Sequence, residues 1–213
     1  MNHRQRMEAG LPYQAWKDGL PQARMEAKKL TYAFNHLPPE EWAHGLELLR
    51  QLLGSAGTDL WIEAPFHCDY GFRTHVGNHF YANYNLTILD VGKVSIGDWC
   101  MIGPNVSLLA AGHPIHPQAR NSGYEYGRDI TIGNNVWIGG GAILLPGVTV
   151  GDNVVIAAGS VVRQDLPNHV VAAGNPCRPI RSITRADRDF YFRHLPFDVT
   201  DYLVPDDPSF PTE

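Results

Sequence analysis

A six-residue period between Ile132 and Asp165 constrains the chain more than anything else in it. Ile132, Ile138, Leu144, Val150, Ile156 and Val162 stand at every sixth position, and Val136, Ala142, Val148, Val154 and Ser160 follow the first five of them by four. Between these apolar positions lie Gly133-Asn134-Asn135, Gly139-Gly140-Gly141, Leu145-Pro146-Gly147, Gly151-Asp152-Asn153 and Ala157-Ala158-Gly159. A period of six fits neither a helix nor the alternation of one long strand. It fits a short strand, a corner and another short strand, repeated as a parallel β-helix. A unit this small cannot bury its own apolar face, so coils must stack to form a core. Gly, Asn and Asp accept the positive φ that tight corners demand. Three such units per turn make a triangular prism with the anchor residues pointing inward.

The period is irregular upstream, where Ile62, Val76, Phe80, Ala82 and Ile88 mark it, and it slips by two residues at Val91 to Lys93. It resumes at Ile96, Ile102 and Leu108, then breaks from Ala110 to Asp129. A long insertion in a strict repeat points to a functional loop. Ahead of the repeat, Ala27, Leu30, Ala33, Phe34 and Leu37 follow helical spacing within Ala23 to Leu37. Pro38-Pro39 separates them from a second stripe, Trp42, Leu46, Leu49, Leu52 and Leu53, which Gly54 and Gly57 close. The expected organisation is a helical cap over 1–57, a β-helix over 58–183 with the inserted loop at 110–129, and a tail over 184–213. Solenoids need caps of this kind at an open end. The tail opens with a charged turn and then carries Phe190, Tyr191, Phe192, Leu195, Phe197 and Tyr202. It is expected to pack on the body or on a neighbour.

Net charge of -5 argues against a general nucleic-acid binder. No apolar run approaches the length of a membrane span, and Met1 to Glu8 has no apolar signal-like stretch. Cys68, Cys100 and Cys177 make no disulfide framework. A cytoplasmic protein without nucleic-acid or membrane partners is expected. Charged residues are only 18% of the chain, which suits flat faces that pack on copies of themselves.

Several motifs now stand together. They are Tyr81-Ala82-Asn83-Tyr84-Asn85, Gly112-His113-Pro114 at the mouth of the insertion, Asn135-Val136-Trp137-Ile138-Gly139-Gly140 where the repeat restarts, and Gly174-Asn175-Pro176-Cys177-Arg178 at its end. From about Met7 to Ile183 the chain resembles the maltose/galactoside O-acetyltransferase group of the hexapeptide acyltransferases, which includes nodulation-type sugar acetyltransferases. The resemblance implies a left-handed coil. It also implies acetyl-CoA as co-substrate, an acceptor with a free hydroxyl, and a homotrimer with active sites between subunits. It makes His113 the catalytic base, a role that suits an imidazole titrating near neutrality. Asn83 is the acceptor-site amide, and Glu125 is a candidate to orient His113. For coenzyme A it implies Trp137 beside the arm, backbone contacts at Gly140 and Ala158, and Arg163, Arg178 and Arg181 as phosphate partners. A backbone N–H near Gly140 would stabilise the oxyanion.

The acceptor positions depart from the galactoside branch. An acidic position falls on Ala15, with Asp18 nearby; a serine position falls on Asp69; a later aspartate falls on Val91, with Asp90 adjacent. The chemistry is therefore expected to be kept and the acceptor preference altered. No Ser or Cys sits in a nucleophile setting, which favours direct transfer over an acetyl-enzyme. Two other readings stay in view. His67, His75, His79, His113 and His116 suggest a zinc site like that of γ-type carbonic anhydrases, although the spacings 75/79 and 113/116 do not follow the six-residue period. The other is a β-helix scaffold with no catalysis. No metal is expected.

Overall fold

The computed structural model describes residues 1–199, 201 and 209–212. Three helices precede the coils: α1 (His3–Glu8), α2 (Leu20–Asn35) and α3 (Trp42–Leu52). Asn2 and Gln5 close a reciprocal capping box at the start of α1. Pro21 stands in the first turn of α2, where a missing N–H costs nothing. Ala27 and Phe34 of α2 and Leu48, Leu49 and Leu52 of α3 are buried against Leu60, Ile62 and Phe66 of the first coil. The helices thus seal one end of the prism.

The coils build three parallel sheets, met in turn by the chain. Face one holds Ser55–Ala56, Thr74–Val76, Val94–Ile96, Ile130–Ile132 and Thr149–Val150. Face two holds Trp61–Ile62, Tyr81–Ala82, Met101–Ile102, Trp137–Ile138, Val155–Ile156 and Val170–Gly174, closed by the antiparallel Cys177–Ser182. Face three holds Phe66–Cys68, Leu86–Leu89, Ser107–Leu109, Ile143–Leu144 and Val161–Val162. Ile62, Ala82, Ile102, Ile138, Ile156 and Ala172 stack in register and are all buried. This is the inward column that the six-residue period requires.

The three corners differ. From face one to face two runs a ladder in which each backbone N–H meets the side chain of the next coil: Asn78 N–H on Asp98, Asp98 on Asn134, Asn134 on Asp152, Asp152 on Asn168. From face two to face three the corner is built of small residues in the later coils, Gly139-Gly140-Gly141 and Ala157-Ala158-Gly159. From face three to face one the repeat is broken every time it is irregular. Ile88 to Ile96 takes eight residues where Leu144 to Val150 takes six, and the long insertion leaves from the same corner.

In the insertion, Ala111–Gly112 pairs antiparallel with Tyr124–Gly127, and a short helix, α4 (Pro117–Asn121), connects them. Tyr13–Gln14 adds a third strand on the far side of Tyr124–Gly127. A second apolar cluster, Met7, Tyr13, Leu20, Tyr70 and Val91, fixes the N-terminal segment to this corner. After the coils comes a 3-10 turn, Arg185–Asp189, and a hairpin of Phe190–Phe192 with Leu195–Pro196. Phe190, Tyr191, Phe192, Leu195 and Phe197 are exposed, and Phe210 meets the ring of His169. Tyr202 lies outside the described residues.

Candidate active site

The small-residue corner between faces two and three carries a groove of about 610 Å3. Asn83, Trp137, Gly140 and Ala158 all line it, so four of the residues singled out from sequence meet there. Their meeting follows from register. Asn83, Gly103, Gly139 and Ala157 each come one residue after the inward column, so the groove runs along the prism axis. Stacking also demands the small residues: a Cβ on Gly139 would lie 2.5 Å from the Ala158 nitrogen. Trp137 points outward from face two between Met101 and Val155, half exposed. Asn83 Oδ1 accepts from the Tyr84 N–H at 2.7 Å, which leaves its amide NH2 to donate outward.

The broken corner holds a second set. His113 is exposed and follows Gly112, which faces Tyr126 across the hairpin. A Cβ on Gly112 would lie 2.8 Å from the Tyr126 ring, so the glycine lets the two strands close. Beneath the hairpin runs a half-buried polar chain. Arg24 donates to the Tyr70 hydroxyl at 2.7 Å and to the Ala15 carbonyl at 2.8 Å. The Tyr13 hydroxyl lies close to that of Tyr70 and donates to Glu125. Burial above all, then the charges of Asp90 and Glu125, pushes the Asp69 carboxyl up to about 6.

Asp90 does not reach the surface. It is fully buried and accepts from the Tyr70 N–H at 2.8 Å and the Thr74 hydroxyl at 3.2 Å. Asp18 is held by the His3 N–H at the start of α1. Arg163 is exposed at the broken corner, away from the groove's lining, and Arg178 donates to the Cys177 carbonyl. Arg181 pairs with Asp187 at 2.8 Å, which raises the guanidinium and holds the Asp187 carboxyl below the usual range. Tyr13 and Arg24 carry no signal in the sequence, because the six-residue period does not extend into the N-terminal segment, and Tyr70 falls in the irregular stretch between Ile62 and Val76.

Two histidines of the zinc reading, His75 and His79, are engaged separately. His79 stacks on Trp99 and pairs with Asp59 at 2.8 Å, while His75 bonds to Ser55. Among the described residues no group of three or more His, Cys, Asp or Glu side chains is arranged to hold a metal ion.

Stacked six-residue coils with a groove along one prism corner and a histidine loop leaving another define a hexapeptide-repeat β-helix protein. Residues 129–164 match the family described as bacterial transferase hexapeptide (six repeats), and residues 6–57 match the maltose acetyltransferase hexapeptide capping motif. The galactoside O-acetyltransferase of Escherichia coli (strain K12) is 47% identical over 189 residues, covering 89% of this chain and 93% of that protein. A structure of galactoside acetyltransferase in complex with coenzyme A superposes with a TM-score of 0.91 at 45% identity, covering 93% of this chain and 100% of the other. A maltose O-acetyltransferase from Clostridium difficile 630 gives 0.85 at 50% identity, over 86% and 98%. The chain belongs to the maltose/galactoside O-acetyltransferase group of the hexapeptide-repeat transferases.

Proposed function

We propose that the chain transfers acetyl from acetyl-CoA to a free hydroxyl of a sugar or sugar-like acceptor, in one step within a ternary complex. The observation that carries this is the groove holding Trp137, Gly140 and Ala158 at one end and Asn83 further along. The related structure that holds coenzyme A has the same fold over nearly all of this chain. Gly139 and Gly141 donate their N–H groups to the Ile156 and Pro104 carbonyls, so the Gly140 N–H is the donor we assign to the thioester carbonyl.

His113 accepts the proton of the acceptor hydroxyl as its oxygen bonds to the acetyl carbon. Asn83 orients that hydroxyl. The carbon–sulfur bond then breaks, and the coenzyme sulfur leaves with the proton from the imidazolium. An acetyl-cysteine intermediate is disfavoured by the thiols present. Burial pushes the Cys100 thiol up to about 11, and those of Cys68 and Cys177 are also raised. Glu125 steadies the loop of His113, and Asp69 is the acceptor contact we retain. Asp90 supports the corner beneath it. Because Asp69 stands where the galactoside branch carries serine, a thiogalactoside is expected to be a poor acceptor. A broad acceptor panel read as released thiol in which it ranks first would overturn that expectation.

We assign a cyclic homotrimer. Asn83 and His113 leave different corners of one prism, and a three-fold assembly brings such corners together between neighbours. Face two suits the contact: from the second coil on, its outward column is Tyr81, Met101, Trp137, Val155 and Val171, where face one presents Ser55, His75, Ser95, Thr131 and Thr149. The central test is His113→Ala, which should lower turnover by about 10²- to 10⁴-fold with coenzyme A binding retained. Near-normal turnover would remove His113 from the mechanism.

A further inference from the structure

The corner that carries the groove does not end at Asn83. One coil further toward the helical cap, the same position is held by Glu63, directly after Trp61–Ile62. A second cavity of about 340 Å3 opens there, between the first coil and the elbow joining α2 to α3. Its walls include Trp42, Trp61 and Tyr84. The rings of Trp42 and Trp61 stack with centroids 4.0 Å apart, which holds Trp61 flat while 43% of it stays exposed. Glu63 Oε1 accepts from the Trp61 indole N–H at 2.9 Å, so ring and carboxylate fix one another. A carboxylate has about four acceptor sites, and this bond uses one. Asn83 lines the first cavity and the adjacent Tyr84 lines the second, so the two are neighbours along one corner.

We propose that this cavity is a second acceptor subsite, which takes the sugar ring adjoining the one that is acetylated. The inference rests on the acyl-transfer reading, in which the reacting hydroxyl lies at Asn83. With coenzyme A toward Gly140 and Ala158, the acceptor extends the other way, toward Glu63. Neighbouring coils are about 4.8 Å apart, a step of the order of one sugar ring. The rigid aromatic face of Trp61 matches the apolar C–H face of a pyranose. The carboxylate at its edge accepts from that ring's hydroxyls. The favoured acceptors are therefore glycans or glycosides of at least two rings.

The test compares initial rates at saturating acetyl-CoA for glucose with maltose and galactose with lactose, in the wild type, Trp61→Ala and Glu63→Gln. We expect the wild type to prefer the disaccharide of at least one pair in kcat/KM. Trp61→Ala should reduce that preference by roughly three- to tenfold, chiefly through KM, and Glu63→Gln should reduce it in the same direction. Glu63→Gln is nearly isosteric, so it keeps the test valid if Trp61→Ala fails to fold. Absence of a wild-type preference, or equal loss for both acceptors in the variants, would overturn the subsite. If no acceptor of either length is acetylated, the acyl-transfer reading fails instead. Calorimetric titration with maltose and lactose then decides the subsite, supporting it if binding weakens in Glu63→Gln and overturning it if the wild type binds neither.

Discussion

The hydroxyl of Tyr13 donates to the carboxylate of Glu125, across an antiparallel pair in which these two residues are direct partners. The contact spans 112 positions of sequence and ties the N-terminal segment to the strand beside Gly112 and His113. Arg24 and Tyr70 lie behind it, so the loop that carries His113 rests on a half-buried polar chain. Such chains reinforce their members when every group is satisfied. Tyr13→Phe should leave Glu125 without this donor and loosen the loop. A loss of about tenfold in kcat is expected, within the range for a hydrogen bond to a charged group, with KM for acetyl-CoA held. A lowered melting temperature with unchanged kcat would reduce Tyr13 to a structural role.

Asp69 gives a pH prediction with a definite sign. Its carboxyl rises from 3.8 to about 6 on folding, chiefly through burial. The folded state therefore binds the proton more tightly than the unfolded one, and ionisation works against folding. From this group alone, the destabilisation is absent below the unfolded value, develops between 3.8 and about 6, and is complete above. Asp69→Asn should raise the melting temperature at pH 7 to 8, and the gain should vanish toward pH 4. A gain that persists at pH 4 would mean that charge is not its source.

Legibility followed periodicity. Ile132 to Val162 reads directly as stacked coils, because one inward residue per face is dictated by the burial of a strand that short. Asn83, Trp137, Gly140 and Ala158 meet in the groove for the same reason: equal phase in the repeat becomes adjacency along a corner. The broken corner was visible only as an interruption. Nothing at Tyr13 or Arg24 marks a partner a hundred residues away, since pairing across an insertion leaves no local pattern. Asp90 illustrates the opposite error. Position beside Val91 suggested an acceptor contact, but the two-residue slip at this corner turns its carboxylate inward to Tyr70 and Thr74.

The side-chain ladder between faces one and two should matter for stability rather than activity. Asn134 stands in the middle of it, accepting from the Asp98 N–H at 2.9 Å while its own N–H donates to Asp152 at 2.6 Å. Asn134→Ala would strip the Asp98 amide of its acceptor. A cost of about 0.5 to 1.5 kcal/mol is expected for the lost bond. It should appear as a lower denaturant midpoint with unchanged slope and unchanged KM values. An unaltered midpoint would show that water replaces the side chain at no cost.

The separation of Asn83 and His113 onto different corners makes the trimer testable without a structure of it. If one active site takes Asn83 from one subunit and His113 from the next, neither Asn83→Ala nor His113→Ala trimers contain an intact site. In trimers mixed from the two, some boundaries bring an unaltered Asn83 against an unaltered His113. Random mixing in equal amounts makes this so at about a quarter of the boundaries of a cyclic trimer. Co-refolding the two inactive variants should therefore restore about a quarter of wild-type turnover, while mixing them as preformed trimers should restore little until subunits exchange. If each chain supplied both residues to its own site, no mixture would exceed its parents, and the boundary assignment would fall.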